Sequence, residues 1–171
     1  TDYPKLSASN EIYQESAMSF MLPPNELNLD TLLYRGGKML IVQGTADGVF
    51  SVDDTQNWYD KLVQTYATNT SAKTTDFARF FRVPGMNHSR AGIATDQFDA
   101  LHALVRWVEY GEKPERIIAA ARGVGNMSGQ INTELPSDWA PDRTRPLCAY
   151  PLIARYSGQG DSEKAENFNC S

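Results

Sequence analysis

The sequence predicts an α/β architecture with neighbouring parallel strands. Strand and helix patterns alternate along residues 38 to 110, in the order strand, loop, helix, strand, loop, helix. The first strand is a continuous apolar run bounded by glycines, which is typical of a strand covered on both faces in a parallel sheet. Because parallel neighbours are joined by right-handed crossovers, this order indicates two adjacent strands with helices packed on them.

Two short helices are predicted ahead of the first strand. One covers residues 11–21 and ends before two prolines, since proline cannot donate the helix hydrogen bond. The other covers about residues 28–34 and ends at two glycines. The strand itself covers residues 38–43, and a loop over residues 44–50 follows it.

A longer helix follows that loop and is expected to pack on the sheet. Ser51-Val-Asp-Asp54 has the form of a capping box, with Asp in place of the commoner Glu. Apolar side chains then recur at helical spacing to about Tyr66. The polar residues 67–76 are predicted as a loop, and the second strand covers residues 77–83.

The last predicted helix begins at Thr95 or Asp96 as its cap and runs to about Tyr110, with Gly111 as its C-terminal stop. Its predicted apolar face comprises Phe98, Leu101, Leu104, Val105 and Val108. From Arg122 onward the pattern dissolves into turns, with no internal repeat or separate domain. We therefore expect this last third to wrap over a surface built elsewhere.

Composition and charge narrow the classes of function. The chain has 171 residues, 41% of them hydrophobic, which is enough for one core, and its formal net charge is -5. Phosphate binding needs clustered Lys and Arg, so the acidic balance argues against a nucleic acid or an anionic membrane as partner. No run approaches the roughly 20 apolar residues of a bilayer span, and the two histidines and two cysteines have no zinc-ligand spacing. No cofactor is expected in this segment.

Two polar residues follow the two predicted strands. Asp47, in IVQGTADGVF, and His88, in FFRVPGMNHS, lie on loops at carboxyl ends of strands, where open α/β sheets place their sites. Adjacent parallel strands would bring these loops together. The carboxylate would then fix the imidazole tautomer, leaving the other ring nitrogen to take a proton from a nucleophile.

Each of these residues also has an ordinary explanation. Asp47 before Gly48 suits a turn, and a lone loop histidine such as His88 is often a surface residue. Their joint position after two buried strands favours a catalytic pair. His102 lies on the polar side of the last helix and is expected to be structural.

The nucleophile is missing from the sequence pattern. No G-x-S-x-G elbow is present, and the nearest approach, Gly125-Asn-Met-Ser-Gly129, has its serine one place late and follows no strand. Ser51, Ser89 and Ser157 occupy no tight strand-to-helix turn. In an α/β-hydrolase the serine precedes the acid, so it is expected before Thr1. The chain, which begins with Thr, is expected to be the carboxyl-terminal portion of an enzyme and inactive by itself.

Four stretches together resemble the tannase and feruloyl esterase family, over about residues 11–170. They are GGKMLIVQGTADGVFSVDDTQNWYDKL, FFRVPGMNHS, DALHALVRWVEYGEKPERIIAA and RTRPLCAYPLIARYSGQGDSEKAENFNC. The resemblance implies the C-terminal part of an α/β-hydrolase fold, with the last parallel strands, flanking helices and an irregular C-terminal tail. It implies a secreted or periplasmic serine esterase that hydrolyses esters of hydroxylated aromatic acids, such as galloyl or feruloyl esters.

The resemblance also implies roles for individual residues. Asp47 would be the triad acid, His88 the triad base, and Cys148 and Cys170 a disulfide of the family. The partners would be a small aromatic ester and the upstream part of the same protein, which carries the nucleophilic serine and a lid that often binds calcium.

The sequence departs from the family pattern near the implied site. Ser89 stands where the family commonly has a Cys bridged to a Cys before the nucleophilic serine. Gly48 replaces a common Pro after the acid, and Arg90-Ala-Gly-Ile replaces a glycine-rich run. Three alternatives stay open: a peptidase or lipase of the same fold, a non-catalytic structural or interaction domain derived from it, and self-association through an exposed sheet edge.

Overall fold

The computed structural model describes residues 8–12, 14–16, 18–19, 23–69, 72–124 and 130–171. The helices in these residues are α1 (Asp30–Tyr34), α2 (Val52–Asn69) and α3 (Ala100–Tyr110). The strands are β1 (Met39–Gly44), β2 (Ala78–Val83), β3 (Arg116–Ala120), β4 (Thr144–Cys148), β5 (Ala154–Tyr156) and β6 (Phe168–Cys170). Single 3-10 turns lie at Thr74–Asp76 and Ala165–Asn167.

Two predictions fall wholly or partly outside the described residues. The glycine-flanked serine segment at 125–129 lies outside them. The helix predicted over residues 11–21 includes residues 13, 17, 20 and 21, which also lie outside. Of its described residues, 18 and 19 are helical, whereas 11, 12 and 14–16 are not.

The predicted parallel pair is present. β1 and β2 run parallel, with register from Met39 opposite Ala78 to Gly44 opposite Val83, and α2 forms the crossover between them. On one face of β2, buried side chains of α2 pack on Ala78 and Phe80 of the strand and on Phe77 just before it. The α2 residues are Tyr59, Leu62 and Tyr66. The α/β pattern read from the apolar runs is therefore the observed one for this part of the chain.

The other face of β2 is covered by the C-terminal third of the chain. β3 and β4 form an antiparallel pair, and both contribute to a second buried cluster with Phe81 and Val83 of β2. Ala149, just after β4, forms a bridge with Phe81. The expectations of turns after Arg122 and of an irregular C-terminal tail are wrong at β4, β5 and β6. β4 forms part of the core rather than wrapping over it, and β5 and β6 form an antiparallel pair.

The start of α3 differs from its prediction. Its N-cap is Asp99, whose side chain accepts a hydrogen bond from the backbone amide of His102 at 2.7 Å. Thr95 and Asp96 are buried ahead of the helix instead. The helix ends as predicted at Gly111, which has the left-handed φ of 72° that favours glycine.

The face of α3 that packs inward also differs. Trp107 is buried, whereas Leu101 and Val108 of the predicted apolar face are 71% and 56% exposed. No helix among the described residues has both the length and the apolar character needed to cross a membrane.

The C-terminal end is fixed by a hairpin and a covalent link. β5 and β6 pair antiparallel, and Cys148 at the end of β4 forms a disulfide with Cys170 at the end of β6, with their Cα atoms 5.6 Å apart. The pairing implied by the family resemblance is the pairing that the structure contains. It ties the short β5–β6 hairpin to the strand that packs on β2.

Candidate catalytic site

The loops that carry Asp47 and His88 leave the carboxyl ends of β1 and β2 side by side. The amide of Thr45 donates to the carbonyl of Val83 at 3.0 Å, and the amide of Ala46 donates to the carbonyl of Met86 at 3.0 Å. The amide of Gly85 donates to the hydroxyl of Thr45 at 2.9 Å. These three hydrogen bonds hold the acid loop (residues 45–50) against the end of β2 and against the His loop (residues 85–92).

Gly44 permits this close approach. A Cβ atom at this position would lie 2.1 Å from the carbonyl oxygen of Met86 and 2.7 Å from that of Asn87. Both distances are far inside van der Waals contact, so only glycine lets the end of β1 touch the backbone of the His loop.

The His loop is a tight hairpin with unusual backbone. Met86 and Gly92 form an antiparallel bridge at its base. Gly85, Ser89, Ala91 and Gly92 all have positive φ, at 74°, 67°, 63° and 79°. Two of these four are not glycine, and a left-handed conformation costs a residue with a Cβ about 1–2 kcal/mol. The loop therefore holds its shape only because its surroundings fix it.

Asp47 and His88 are in hydrogen-bond contact. Nδ1 of His88 lies 3.0 Å from Oδ2 of Asp47. The Asp47 side chain is 5% exposed, whereas the imidazole is 49% exposed, so one ring edge contacts the carboxylate and the rest of the ring reaches solvent. The structure thus joins two residues that are 41 positions apart in the chain.

The carboxylate of Asp47 is held in its ionised form. Its Oδ1 accepts hydrogen bonds from the backbone amides of Val49 at 2.8 Å and Phe50 at 3.0 Å. The hydrogen bond from the Phe50 amide has the largest effect and that with His88 the second largest, and both lower the pKa of Asp47 below the ordinary 3.8. An ionised carboxylate only accepts hydrogen bonds, so Nδ1 carries the proton of a neutral imidazole and Nε2 is left as a proton acceptor.

A cleft of about 380 Å³ opens beside the imidazole. The Phe50 ring is 62% exposed and its centroid is 5.5 Å from that of His88. Val42 and Met86 add apolar surface, and hydroxyls and a carboxylate contribute a polar side: Ser51, Asp54, Thr55 and Ser89. The cleft therefore offers an apolar wall next to a proton acceptor.

The other residues considered from the sequence lie as follows. The hydroxyl of Ser51 accepts a hydrogen bond from the backbone amide of Asp54 at 3.3 Å, which is one half of the predicted capping box of α2. Ser89 follows His88 at the cleft, and Ser157 bonds the backbone near Gln159. His102 is exposed on α3 and does not line the cleft. Among the described residues, no group of three or more His, Cys, Asp or Glu side chains is arranged to hold a metal ion.

Three residues that support the His loop were missed in the sequence. Asp96, Arg122 and Asn132 contact its return limb (residues 91–92) or one another, across 5 to 40 positions of chain. The only local signal at Asp96 is an acid near the start of a helix, and this signal predicts a helix cap.

Comparison with solved structures defines the class of protein. An esterase from Aspergillus oryzae matches with a TM-score of 0.65 and 25% sequence identity, covering 85% of this chain and 29% of that chain. Feruloyl esterase B from the same organism matches with a TM-score of 0.62, 25% identity and the same coverage. These neighbours are esterases of the α/β-hydrolase type.

The family follows from the sequence comparison. The model for tannase and feruloyl esterase matches residues 16–171, and the chain belongs to this family of ester hydrolases. The resemblance found in the sequence motifs is thereby confirmed.

Curated relatives agree with this assignment. A mono(2-hydroxyethyl) terephthalate hydrolase from Piscinibacter sakaiensis is 42% identical over 137 residues, which are 80% of this chain and 20% of that protein. A probable feruloyl esterase from Arthroderma benhamiae is 31% identical, over 84% of this chain and 24% of its own length. The chain thus spans about a fifth to a quarter of the length of these relatives.

Proposed function

We propose that these 171 residues are the C-terminal part of a serine ester hydrolase, in which Asp47 is the triad acid and His88 the triad base. The observation that carries the proposal is the 3.0 Å contact between Oδ2 of Asp47 and Nδ1 of His88. The contact lies at the carboxyl ends of two parallel strands, and the acid precedes the histidine in the chain, as in α/β-hydrolases. Membership of an ester hydrolase family supports the type of reaction.

The geometry suits general base and general acid catalysis by His88. Nε2 would take the hydroxyl proton of a serine while the serine oxygen attacks the ester carbonyl carbon. The imidazolium would then give that proton to the leaving alcohol, and a water molecule would release the acid in the second half of the cycle. Asp47 stabilises the imidazolium and holds its ring. The serine would come from a part of the protein outside these residues.

The cleft supports an ester of an aromatic acid as substrate. An aromatic acyl group can pack against the exposed ring of Phe50 and the side chain of Val42, with its carbonyl carbon near the imidazole. The relatives named above are a feruloyl esterase and a terephthalate ester hydrolase, and both names denote esters of aromatic carboxylic acids.

The disulfide supports a location outside the cytosol. Disulfides persist in oxidising compartments and are rare in the reducing cytosol. The bond between Cys148 and Cys170 therefore fits the secreted or periplasmic location that we propose.

The test is ester hydrolysis by the complete gene product. We expect turnover of methyl ferulate, methyl gallate or mono(2-hydroxyethyl) terephthalate, and a loss of about 10⁴-fold or more in kcat/KM for His88→Ala. His102→Ala is the matched control and should stay within about twofold of wild type. Activity retained in His88→Ala would refute the assignment. Turnover of aminoacyl amides in preference to esters would favour a peptidase, and hydrolysis of none of these compounds would favour a non-catalytic domain.

A further inference from the structure

The return limb of the His loop is held by two side chains from outside the loop. The amide of Ala91 donates to Oδ2 of Asp96 at 2.6 Å. The side-chain amide of Asn132 donates to the carbonyl of Gly92 at 2.7 Å, and Asn132 is buried. Two consecutive residues of the limb, Ala91 and Gly92, each thus have a backbone group paired with a side chain.

Asp96 is itself held by a buried ion pair. Its side chain is inaccessible to solvent. Nε of Arg122 lies 3.0 Å from Oδ1, and Nη2 lies 2.7 Å from Oδ2, so the guanidinium grips the carboxylate with two nitrogens. This pairing raises the pKa of Arg122. Bidentate pairs of this kind are among the strongest and most directional hydrogen bonds in proteins.

Arg122 also joins the two supports into one network. Its backbone carbonyl accepts the amide of Asn132 at 2.8 Å, and its Nη1 donates to the carbonyl of Gln130 at 2.7 Å. Asp96, Arg122 and Asn132 are therefore linked to one another as well as to the loop. A change in one of them would be felt by both anchored groups of the return limb.

The loop needs this support for a physical reason. Ser89 at the loop tip and Ala91 just after it have φ of 67° and 63°, which is unfavourable for residues with a Cβ atom. Residues 88–90 form the tip and are exposed, and the imidazole packs there against the exposed ring of Phe50. Asp47 holds the ring of His88 from one side only.

We propose that Asp96, Arg122 and Asn132 are positioning residues for His88. They fix the return limb of the His loop so that Nδ1 of the imidazole stays on the carboxylate of Asp47. The inference rests on the proposed role of His88 as the catalytic base.

The experiment measures exchange of the His88 Nδ1 proton with water by NMR in the complete gene product. We expect Asp96→Asn and Asn132→Ala each to accelerate exchange by about tenfold or more, a factor that corresponds to about 1.4 kcal/mol. The matched control is Glu115→Gln, which weakens the ion pair with the buried Arg79 near the amino end of β2, whereas the His loop follows the carboxyl end of that strand. It should leave exchange at His88 within about twofold, even where it lowers stability.

Exchange at the wild-type rate in both loop variants would overturn the proposal. If Asp96→Asn does not fold, Asn132→Ala and Arg122→Lys test the same expected acceleration of exchange. Arg122→Lys keeps the charge but loses the bidentate hydrogen bonds. Asp47→Asn distinguishes a failure of the proposed function from a failure of the positioning role. If the His88 Nδ1 proton is as well protected in that variant as in wild type, the Asp47 contact and the proposed function fail; if protection is lost there but unchanged in Asn132→Ala, only the positioning role fails.

Discussion

Replacing Gly44 by alanine tests how closely the acid loop and the His loop are packed. The new Cβ would lie 2.1 Å from the Met86 carbonyl oxygen, whereas carbon and oxygen atoms in contact are normally about 3.3 Å apart or more. The end of β1 and the His loop would have to separate by roughly 1 Å. Since the Ala46–Met86 and Asp47–His88 hydrogen bonds are both 3.0 Å long, such a shift would break or weaken both.

The expected cost follows from these contacts. Overpacking a closely packed site costs about 1–3 kcal/mol, and each hydrogen bond contributes about 0.5–1.5 kcal/mol. Lower entropy of the unfolded chain offsets about 0.4–1 kcal/mol when glycine becomes alanine. We therefore expect Gly44→Ala to lower the free energy of unfolding by about 2–4 kcal/mol.

Urea unfolding followed by tryptophan fluorescence measures this change, because Trp107 is buried in the folded chain. Gly48→Ala is the matched control: it lies in the acid loop just after Gly44, and a Cβ there meets no atom within 4 Å. That variant should stay within about 0.5 kcal/mol of wild type. If Gly44→Ala unfolds with the same free energy as Gly48→Ala, the proposed contact between the loops is not as close as described.

Three further changes have definite expected outcomes. Reducing the Cys148–Cys170 disulfide, which spans 22 positions, should lower the unfolding free energy by about 3 kcal/mol, measured by urea unfolding with and without a thiol reductant; equal midpoints would contradict this. Ala91→Gly should raise the free energy of unfolding by about 0.5 kcal/mol, because glycine adopts a φ of 63° without the cost that a Cβ atom brings. A lower free energy of unfolding would show that Ala91 is not strained. The lowered pKa of Asp47 means that its ionised form stabilises the fold above the ordinary value of 3.8, and that this contribution is lost as the pH falls through the lower folded value. Wild type and Asp47→Asn should thus differ most in urea midpoint above about pH 5 and converge below about pH 3, whereas a constant difference would contradict the assignment.

The parallel pair and the meeting of its two loops were predictable because their signals are local. Apolar runs mark β1 and β2, and glycines bound the first of them. Once the two strands are taken as parallel neighbours, Asp47 and His88 must leave the same sheet edge. No finer information was needed to predict that these side chains lie close together.

The N-cap of α3 could not be predicted, because the choice of capping residue depends on a residue that is distant in the chain. Thr95, Asp96 and Asp99 are all acceptable caps by sequence. The carboxylate of Asp96 binds Arg122, 26 positions later, and only Asp99 is left to cap the helix. The same dependence on tertiary pairing hid the support of the His loop.

β4 was missed for a related reason. The strand has five residues, and one of them is Pro146, which is normally a signal against a strand. Its partner β3 lies more than twenty residues earlier in the chain. Pairing between such distant short segments is decided by the shared core with Phe81, and the sequence pattern does not contain that information.

Asp47 and His88 are proposed to act as one acid–base unit, and the kinetics of Asp47→Asn in the complete gene product are the sharpest test of this claim. The asparagine keeps the size of the side chain but favours the wrong imidazole tautomer. We predict that kcat for an aromatic ester falls about 10³–10⁴-fold while KM changes by less than about threefold. A fall in kcat of less than about tenfold would contradict the claim.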